Sequence, residues 1–240
     1  MKILKFLLVL VLSFLIVSCS SVPKDTFVGP VPLEPTFIRT RLVVHYKDKQ
    51  PIVDLSEIDK WFGVCTASLQ ELKINFKIVD FVFLEYEDST DFEDIALDSD
   101  KTPDILSIYV MEETETQRKN KLFENMAGMA PMGQYATIKA ANYILLMPCR
   151  RGFDNWVFVH EVGHVLGDLE HTFKIDQTTG EMVGDVDCPD LKATANPLYC
   201  NIMNYAAGCK FREFTPDQLQ KIWKSLHKYQ SDKIINYVNY

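Results

Sequence analysis

Three of the five histidines in this chain lie in one short stretch, VHEVGHVLGDLEHTF, which runs from Val159 to Phe173. On an α-helix, residues four apart share a face, so His160 and His164 can direct two imidazoles at one metal ion. Glu161 follows the first of them, and its carboxylate can reach a water on that ion without ligating the ion itself. The pattern is typical of metal-assisted hydrolysis, in which zinc acidifies its water and the glutamate takes the proton.

The residues around this motif predict the helix that such chemistry needs. We expect it over residues 154–167, with Asp154 or Asn155 as N-cap and with Gly167 ending it in a left-handed backbone conformation. A helix is also expected over 54–72, where apolar residues recur at steps of three and four and so share one face. These residues are Leu55, Ile58, Phe62, Cys65 and Leu69.

The last helix is predicted over residues 215–234 from its first turn. Thr215 is placed to cap it, Pro216 occupies the first helical position, and Gln218 follows three residues after the cap. Two further histidines, His45 in a predicted strand and His227 on this helix, have no partner in sequence that indicates a site.

Apolar or alternating segments predict four strands, over residues 40–48, 74–88, 104–113 and 141–148. Between the third and the fourth, GMAPMGQYATI indicates a loop or the edge of a sheet. The order of elements predicts one α+β domain, over residues 39–240, with a cleft after the central helix.

The N-terminus has the features of an export signal. Lys2 and Lys5 precede a long apolar run that ends in SCSS. The sequence IVSC resembles the lipobox of bacterial lipoproteins, which implies a signal peptide over 1–18, a lipid anchor on Cys19 and a tether over 19–38. The expected location is the bacterial cell envelope or surface. An ordinary cleaved signal or an uncleaved anchor helix is the alternative.

Charge and cysteine content narrow the function further. Without residues 1–18 the net charge falls from −8 to −10, since Lys2 and Lys5 are lost and no acidic residue is. An acidic domain without basic clusters argues against nucleic-acid binding.

Beyond Cys19, five cysteines remain in an exported chain, so one or two disulfides are expected among them. They are Cys65, Cys149, Cys188, Cys200 and Cys209.

Two motifs together resemble those of a known family. HEVGHVLG followed by HTF is similar to HExxHxxGxxH of the metzincin zinc metallopeptidases, and the flanking residues most resemble the pappalysin-like branch. CNIMNYAAG, at residues 200–208, resembles the metzincin Met-turn. GDVDCPD and FTPDQLQKI also have counterparts in that branch.

The resemblance implies a fold and a set of roles. The fold would be a mixed twisted sheet with a zinc-binding active-site helix, a Met-turn and a C-terminal helix. His160 and His164 would bind Zn²⁺, and Glu161 would act as general base and then as proton donor to the leaving amine. Met203 would form the apolar floor beneath the metal, and Tyr205 would hydrogen-bond the oxyanion of the tetrahedral intermediate.

The chain departs from the family pattern at the third ligand. Three residues separate Gly167 from His171, where the family has two, so Glu170 occupies the family's third-ligand position. Either the extra residue widens the turn and His171 still reaches the metal, or Glu170 is the ligand, since zinc accepts two histidines and a glutamate. The family's flank resumes at His171, which favours the histidine.

The segment after the central helix also raises the question of Ca²⁺. Its acidic side chains could supply oxygen ligands, although acidic residues in loops are more often simply solvated. These residues are Asp176, Glu181, Asp185, Asp187 and Asp190.

The sequence therefore predicts an exported, lipid-anchored, zinc-dependent endopeptidase that acts on a protein or peptide substrate. Two alternatives stay open: a surface lipoprotein that binds a protein or glycan partner and has a structural or degenerate zinc site, and a zinc hydrolase of a non-peptide amide.

Overall fold

A mixed β-sheet with helices packed on it forms the body of the protein. The computed structural model describes residues 35–85, 105–113, 115–119, 127–130, 143–150, 153–171, 173–175, 182–184, 199–203, 211–231 and 235–236. The sheet strands are β1 (Thr36–Lys47), β2 (Gln50–Pro51), β3 (Ile74–Glu85), β4 (Leu106–Val110), β5 (Gly128–Met129), β6 (Tyr143–Leu146) and β11 (Ile235–Asn236). Two small sheets pair β7 (Phe173–Ile175) with β8 (Met182–Gly184), and β9 (Tyr199–Asn201) with β10 (Phe211–Glu213).

Strand β1 is the centre of this sheet. It pairs in parallel with β3 and with β4 over the same residues, Thr40 to Val44, so these two strands lie on its opposite sides. Strand β6 continues the parallel arrangement beyond β4, and β5 is added to β6 in the antiparallel direction. Every residue of β4 and β6 is buried, as expected for parallel strands covered on both faces.

Four α-helices are described: α1 (Leu55–Ser68), α2 (Glu115–Lys119), α3 (Asn155–Gly167) and α4 (Pro216–Ser231). Helix α3 packs between α1 and α4. Its Phe158 lies in the core with ring centroids 4.9 Å from Phe62 of α1 and 5.8 Å from Phe76 of β3. Within the described residues, no helix has both the length and the apolar character needed to cross a bilayer.

The predicted elements are present, with differences at their ends. The first strand begins at Thr36 rather than residue 40, because Thr36 already pairs with Ile74 of β3. The predicted apolar face of α1 was wrong at one position: Leu55 is 41% exposed, and Trp61 is buried against Phe153 instead. The loop or edge expected from residue 128 starts as strand β5 at the margin of the sheet.

Candidate metal centre

Helix α3 is fixed at its start by a side-chain cap. Asp154 is the N-cap, as predicted for Asp154 or Asn155, and its Oδ1 accepts a hydrogen bond of 2.9 Å from the Trp156 amide. Its Oδ2 accepts from Arg212 Nη2 at 3.1 Å, which connects the start of the helix to strand β10. The helix that carries His160, Glu161 and His164 is therefore tied to the segment that follows the Met-turn motif.

The end of α3 differs from the prediction. Gly167 is the last helical residue, and Asp168, not Gly167, takes the left-handed conformation, with φ of 48°. Asp168 accepts this conformation because a short polar side chain tolerates it. Gly167 is needed for space instead, since a Cβ there would come within 2.7 Å of Ile222 Cγ1 and 2.8 Å of Leu169 Cγ.

The turn at Asp168 sends the chain back over the helix. The Leu169 amide donates to the Gly163 carbonyl at 3.4 Å, and the Leu169 side chain is buried. Glu170 then faces solvent, whereas His171 returns to the helix and is partly buried beside the other two histidines. The extra residue is thus absorbed in the turn.

The three imidazoles converge through one nitrogen each. The Nε2 atoms of His160, His164 and His171 are mutually 3.0 Å apart. The other nitrogen of the first two rings meets a backbone oxygen: His160 Nδ1 lies 2.9 Å from the Ile202 carbonyl, and His164 Nδ1 lies 2.5 Å from the Leu169 carbonyl. A carbonyl only accepts hydrogen bonds, so each Nδ1 carries the hydrogen and each Nε2 presents a lone pair.

Burial keeps these rings neutral. It lowers the pKa of His160 well below its ordinary value and that of His164 to about 4, and in both cases a neighbouring histidine adds to the effect. Burial also lowers the pKa of His171. Burial therefore favours the neutral form of all three rings, which is the form that binds a metal ion.

A divalent cation fits this arrangement. In a tetrahedral site with Zn–N bonds of about 2.0–2.1 Å, two ligand nitrogens lie about 3.3–3.4 Å apart, close to the 3.0 Å found here. Three neutral imidazoles suit zinc, and the Nδ1 contacts to carbonyls are the outer hydrogen bonds that orient metal-binding histidines. Among the described residues, this is the only group of three or more ligand-type side chains close enough to hold a metal ion.

Met203 lies directly on helix α3. It is fully buried, and a Cβ added to Gly163 would come within 2.7 Å of its sulfur. Gly163 lies between the two helical histidines, so the methionine packs on the same stretch of the helix that carries them. The role of Met203 as the apolar floor beneath a metal stays a prediction.

Glu161 faces strand β5, which is an edge of the sheet within the described residues. The residue is 2% exposed, and burial raises the pKa of its carboxyl well above the usual range. Gly128 lies so near that a Cβ on it would come within 2.8 Å of Glu161 Oε1. The Glu161 side chain therefore lies between the backbone of α3 and strand β5.

The structure describes some of the other residues singled out in the sequence and not others. Tyr205, Cys19 and the five acidic residues considered for Ca²⁺ lie outside the described residues. Cys65 and Cys149, the cysteines whose side chains are described, are free thiols. His45 is buried within β1, away from the cluster, and burial lowers its pKa to about 4.

Sequence reasoning missed three contributors: Arg212 at Asp154, Gly128 at Glu161, and the Asn201 side chain. Each acts through a contact between distant parts of the chain, and no local pattern marks it. Gln218 was identified as a capping residue, but its contact with Asn201 was not foreseen.

The arrangement of sheet and helices is similar to that of solved metallopeptidase structures. Mature mirolysin from Tannerella forsythia, in complex with a cleaved peptide, matches with a TM-score of 0.57 at 14% identity, over 85% of this chain and 99% of that one. Mirolysin in complex with compound 9 gives 0.58 at 14% identity, over 83% and 96%. A mutant of T. forsythia promirolysin gives 0.55 at 14% identity, over 85% and 84%.

The α+β, metzincin-like fold predicted from the sequence is thereby confirmed. At this level of identity the likeness concerns the fold. No protein-family model matches the chain, and no curated protein does.

The contact between α3 and Met203 can be tested with one substitution at two helical glycines. Gly163→Ala forces a Cβ against the Met203 sulfur at 2.7 Å and the Phe214 ring at 3.0 Å, whereas Gly63→Ala in α1 has nothing within 4 Å. Both gain the same helix propensity, so their difference isolates the steric cost. We expect Gly163→Ala to have a free energy of unfolding about 1–3 kcal/mol lower than Gly63→Ala, measured by urea denaturation with a chelator present. Equal stabilities would contradict the close contact.

Proposed function

We propose that this protein is a zinc-dependent endopeptidase. The observation that carries the proposal is the meeting of three imidazole Nε2 atoms, 3.0 Å apart, on the helix that also bears Glu161. The metzincin-like fold supports it, and so does the similarity to mirolysin, a protein that has been seen in complex with a cleaved peptide.

His160, His164 and His171 are the proposed ligands. The choice of His171 over Glu170 is supported by their orientations, because His171 Nε2 lies with the other two whereas Glu170 is exposed. When bound, zinc lowers the pKa of a water molecule and polarises the carbonyl that is attacked.

Glu161 is the proposed general base. Its carboxylate accepts the proton of the attacking water and delivers it to the leaving amine. Burial raises the pKa of this carboxyl, because the charged form loses contact with water. Tyr205, by the resemblance, donates a hydrogen bond to the oxyanion of the intermediate.

The substrate in this proposal is an extended peptide. Strand β5 pairs with β6 on one side, and Gly128 brings β5 against Glu161. A peptide lying along β5 would pass its carbonyl groups close to the glutamate, and an extended chain suits pairing with a strand.

Export and lipid anchoring at Cys19 belong to the same proposal. Expressed in a bacterium with a lipoprotein pathway, the protein should enter the membrane fraction, and Cys19→Ser should release it. Cell fractionation with labelled fatty acid measures this, and a Cys19→Ser protein that still carries label would contradict the anchor.

Replacing the proposed base should remove catalysis and leave the metal bound. For Glu161→Gln we expect a loss of at least about 10²–10⁴-fold in peptide cleavage, with one zinc per chain retained. New termini in a diverse peptide mixture, read by mass spectrometry, measure cleavage, and elemental analysis measures zinc. If the wild-type protein holds zinc and cleaves no peptide, the partner-binding lipoprotein becomes the better account.

The third ligand can be identified with two neighbouring substitutions. His171→Ala should weaken zinc binding by at least about tenfold, since a ligand matters no less than its outer partners. Glu170→Ala should leave the affinity unchanged, because this side chain is exposed. Competition with a chromophoric chelator measures both, and the opposite order would assign the site to Glu170.

A further inference from the structure

Two buried amide side chains join residues 199–203, called here the Met-turn segment, to the last helix. Asn201 ends strand β9 and Gln218 lies in the first turn of α4; they are 2% and 7% exposed. Asn201 Nδ2 donates to Gln218 Oε1 at 3.1 Å, and Gln218 Nε2 donates to Asn201 Oδ1 at 3.1 Å. Each amide therefore satisfies the other where water is excluded.

Backbone groups fix the direction of this pair. The Met203 amide donates to Asn201 Oδ1 at 2.8 Å, and the Thr215 amide donates to Gln218 Oε1 at 2.9 Å. A backbone N–H only donates, so both oxygens must face these amides and both NH₂ groups must face the opposite side chain. The pair has one arrangement, and a rotated amide would place donor against donor.

The segment held in this way contacts α3 at two points. Between Asn201 and Met203, the Ile202 carbonyl accepts from His160 Nδ1 at 2.9 Å, and the Ile202 amide donates to the Glu213 carbonyl at 3.1 Å. Met203 packs on Gly163, less than one helical turn further along. A shift of the segment would move both the carbonyl that orients His160 and the floor beneath the three imidazoles.

We propose that Asn201 and Gln218 are positioning residues of the metal centre. Their amide pair fixes the Ile202 carbonyl, which holds the His160 ring and its Nδ1–H tautomer, and it fixes Met203 beneath the site. The inference rests on the proposed function in so far as the three histidines bind a metal. It adds a connection from helix α4 to that metal through side chains that touch neither metal nor substrate.

A helix cap alone does not account for the pair. The side-chain oxygen of Gln218 accepts from the Thr215 backbone amide, and the backbone amide of Gln218 donates to Thr215 Oγ1 at 3.3 Å. Thr215 and Gln218 therefore complete a capping box without Asn201. Thr215 therefore provides a matched control, because Thr215→Ala weakens the cap and leaves the Asn201–Gln218 bonds in place.

The experiment compares zinc affinity in four full-length proteins: wild type, Gln218→Met, Asn201→Ser and Thr215→Ala. Methionine keeps the length of glutamine without its amide. Serine at 201 can still accept from the Met203 amide but is too short to reach Gln218, so it breaks the connection while keeping the local turn. Chelator competition gives the zinc affinity, the visible spectrum of the cobalt-loaded protein reports the ligand geometry, and circular dichroism of the metal-free protein checks the fold.

We expect Gln218→Met and Asn201→Ser to bind zinc about 10–100-fold more weakly than wild type, the effect usual for outer partners of metal ligands, and to alter the cobalt spectrum. Thr215→Ala should keep wild-type affinity and spectrum, even if it melts earlier. The inference is overturned if Asn201→Ser, folded, binds zinc as wild type does, or if Thr215→Ala loses affinity to the same extent. Absence of zinc binding by wild type would instead overturn the proposed function.

Discussion

The contact of helix α3 with the Met-turn segment is the constraint on which the rest of the site depends. At Gly163 the two approach so closely that a Cβ would come within 2.7 Å of the Met203 sulfur. This approach brings the Ile202 carbonyl to His160, 2.9 Å from Nδ1. The backbone contact thus decides which nitrogen of His160 carries hydrogen, and the ring presents its other nitrogen to His164 and His171. The same close approach therefore packs the Met203 side chain on Gly163 and orients the His160 ring.

Burying the three imidazoles and the Glu161 carboxyl costs free energy, because these polar groups lose contact with water. Three imidazole nitrogens meet at 3.0 Å in rings whose pKa values burial lowers, and Glu161 on the same helix is buried with a raised pKa. Buried polar groups stabilise a fold only when partners satisfy them. The outer contacts at Ile202, Leu169 and the Asn201–Gln218 pair hold the groups in position, and a cation would offset the repulsion between the nitrogens. Such an arrangement is expected where a ligand supplies what the chain lacks.

Local patterns predicted much of this from the sequence. The spacing of His160 and His164, the cap at Asp154 and the capping pair Thr215–Gln218 depend on residues within one or two turns, so a linear pattern contains them. Gln218 also bonds Asn201, 17 residues away, and Arg212 bonds Asp154, 58 residues away; these contacts arise only after the elements are packed. The error at Gly167 has the same origin, because its lack of a Cβ is required by Ile222 of α4 and not by its backbone angles.

The additional residue before His171 shows how a turn can accommodate a change in length without loosening the site. Asp168 reverses the chain in a left-handed conformation. Leu169 then contributes through both its side chain and its backbone carbonyl. Its side chain is buried on α3, which anchors the turn, and its carbonyl lies 2.5 Å from His164 Nδ1 and orients that ring. Glu170 is exposed to solvent between Leu169, which is buried, and His171, which is partly buried. The additional residue is therefore accommodated within the turn. Because Leu169 anchors this turn, His171 still meets the two helical histidines.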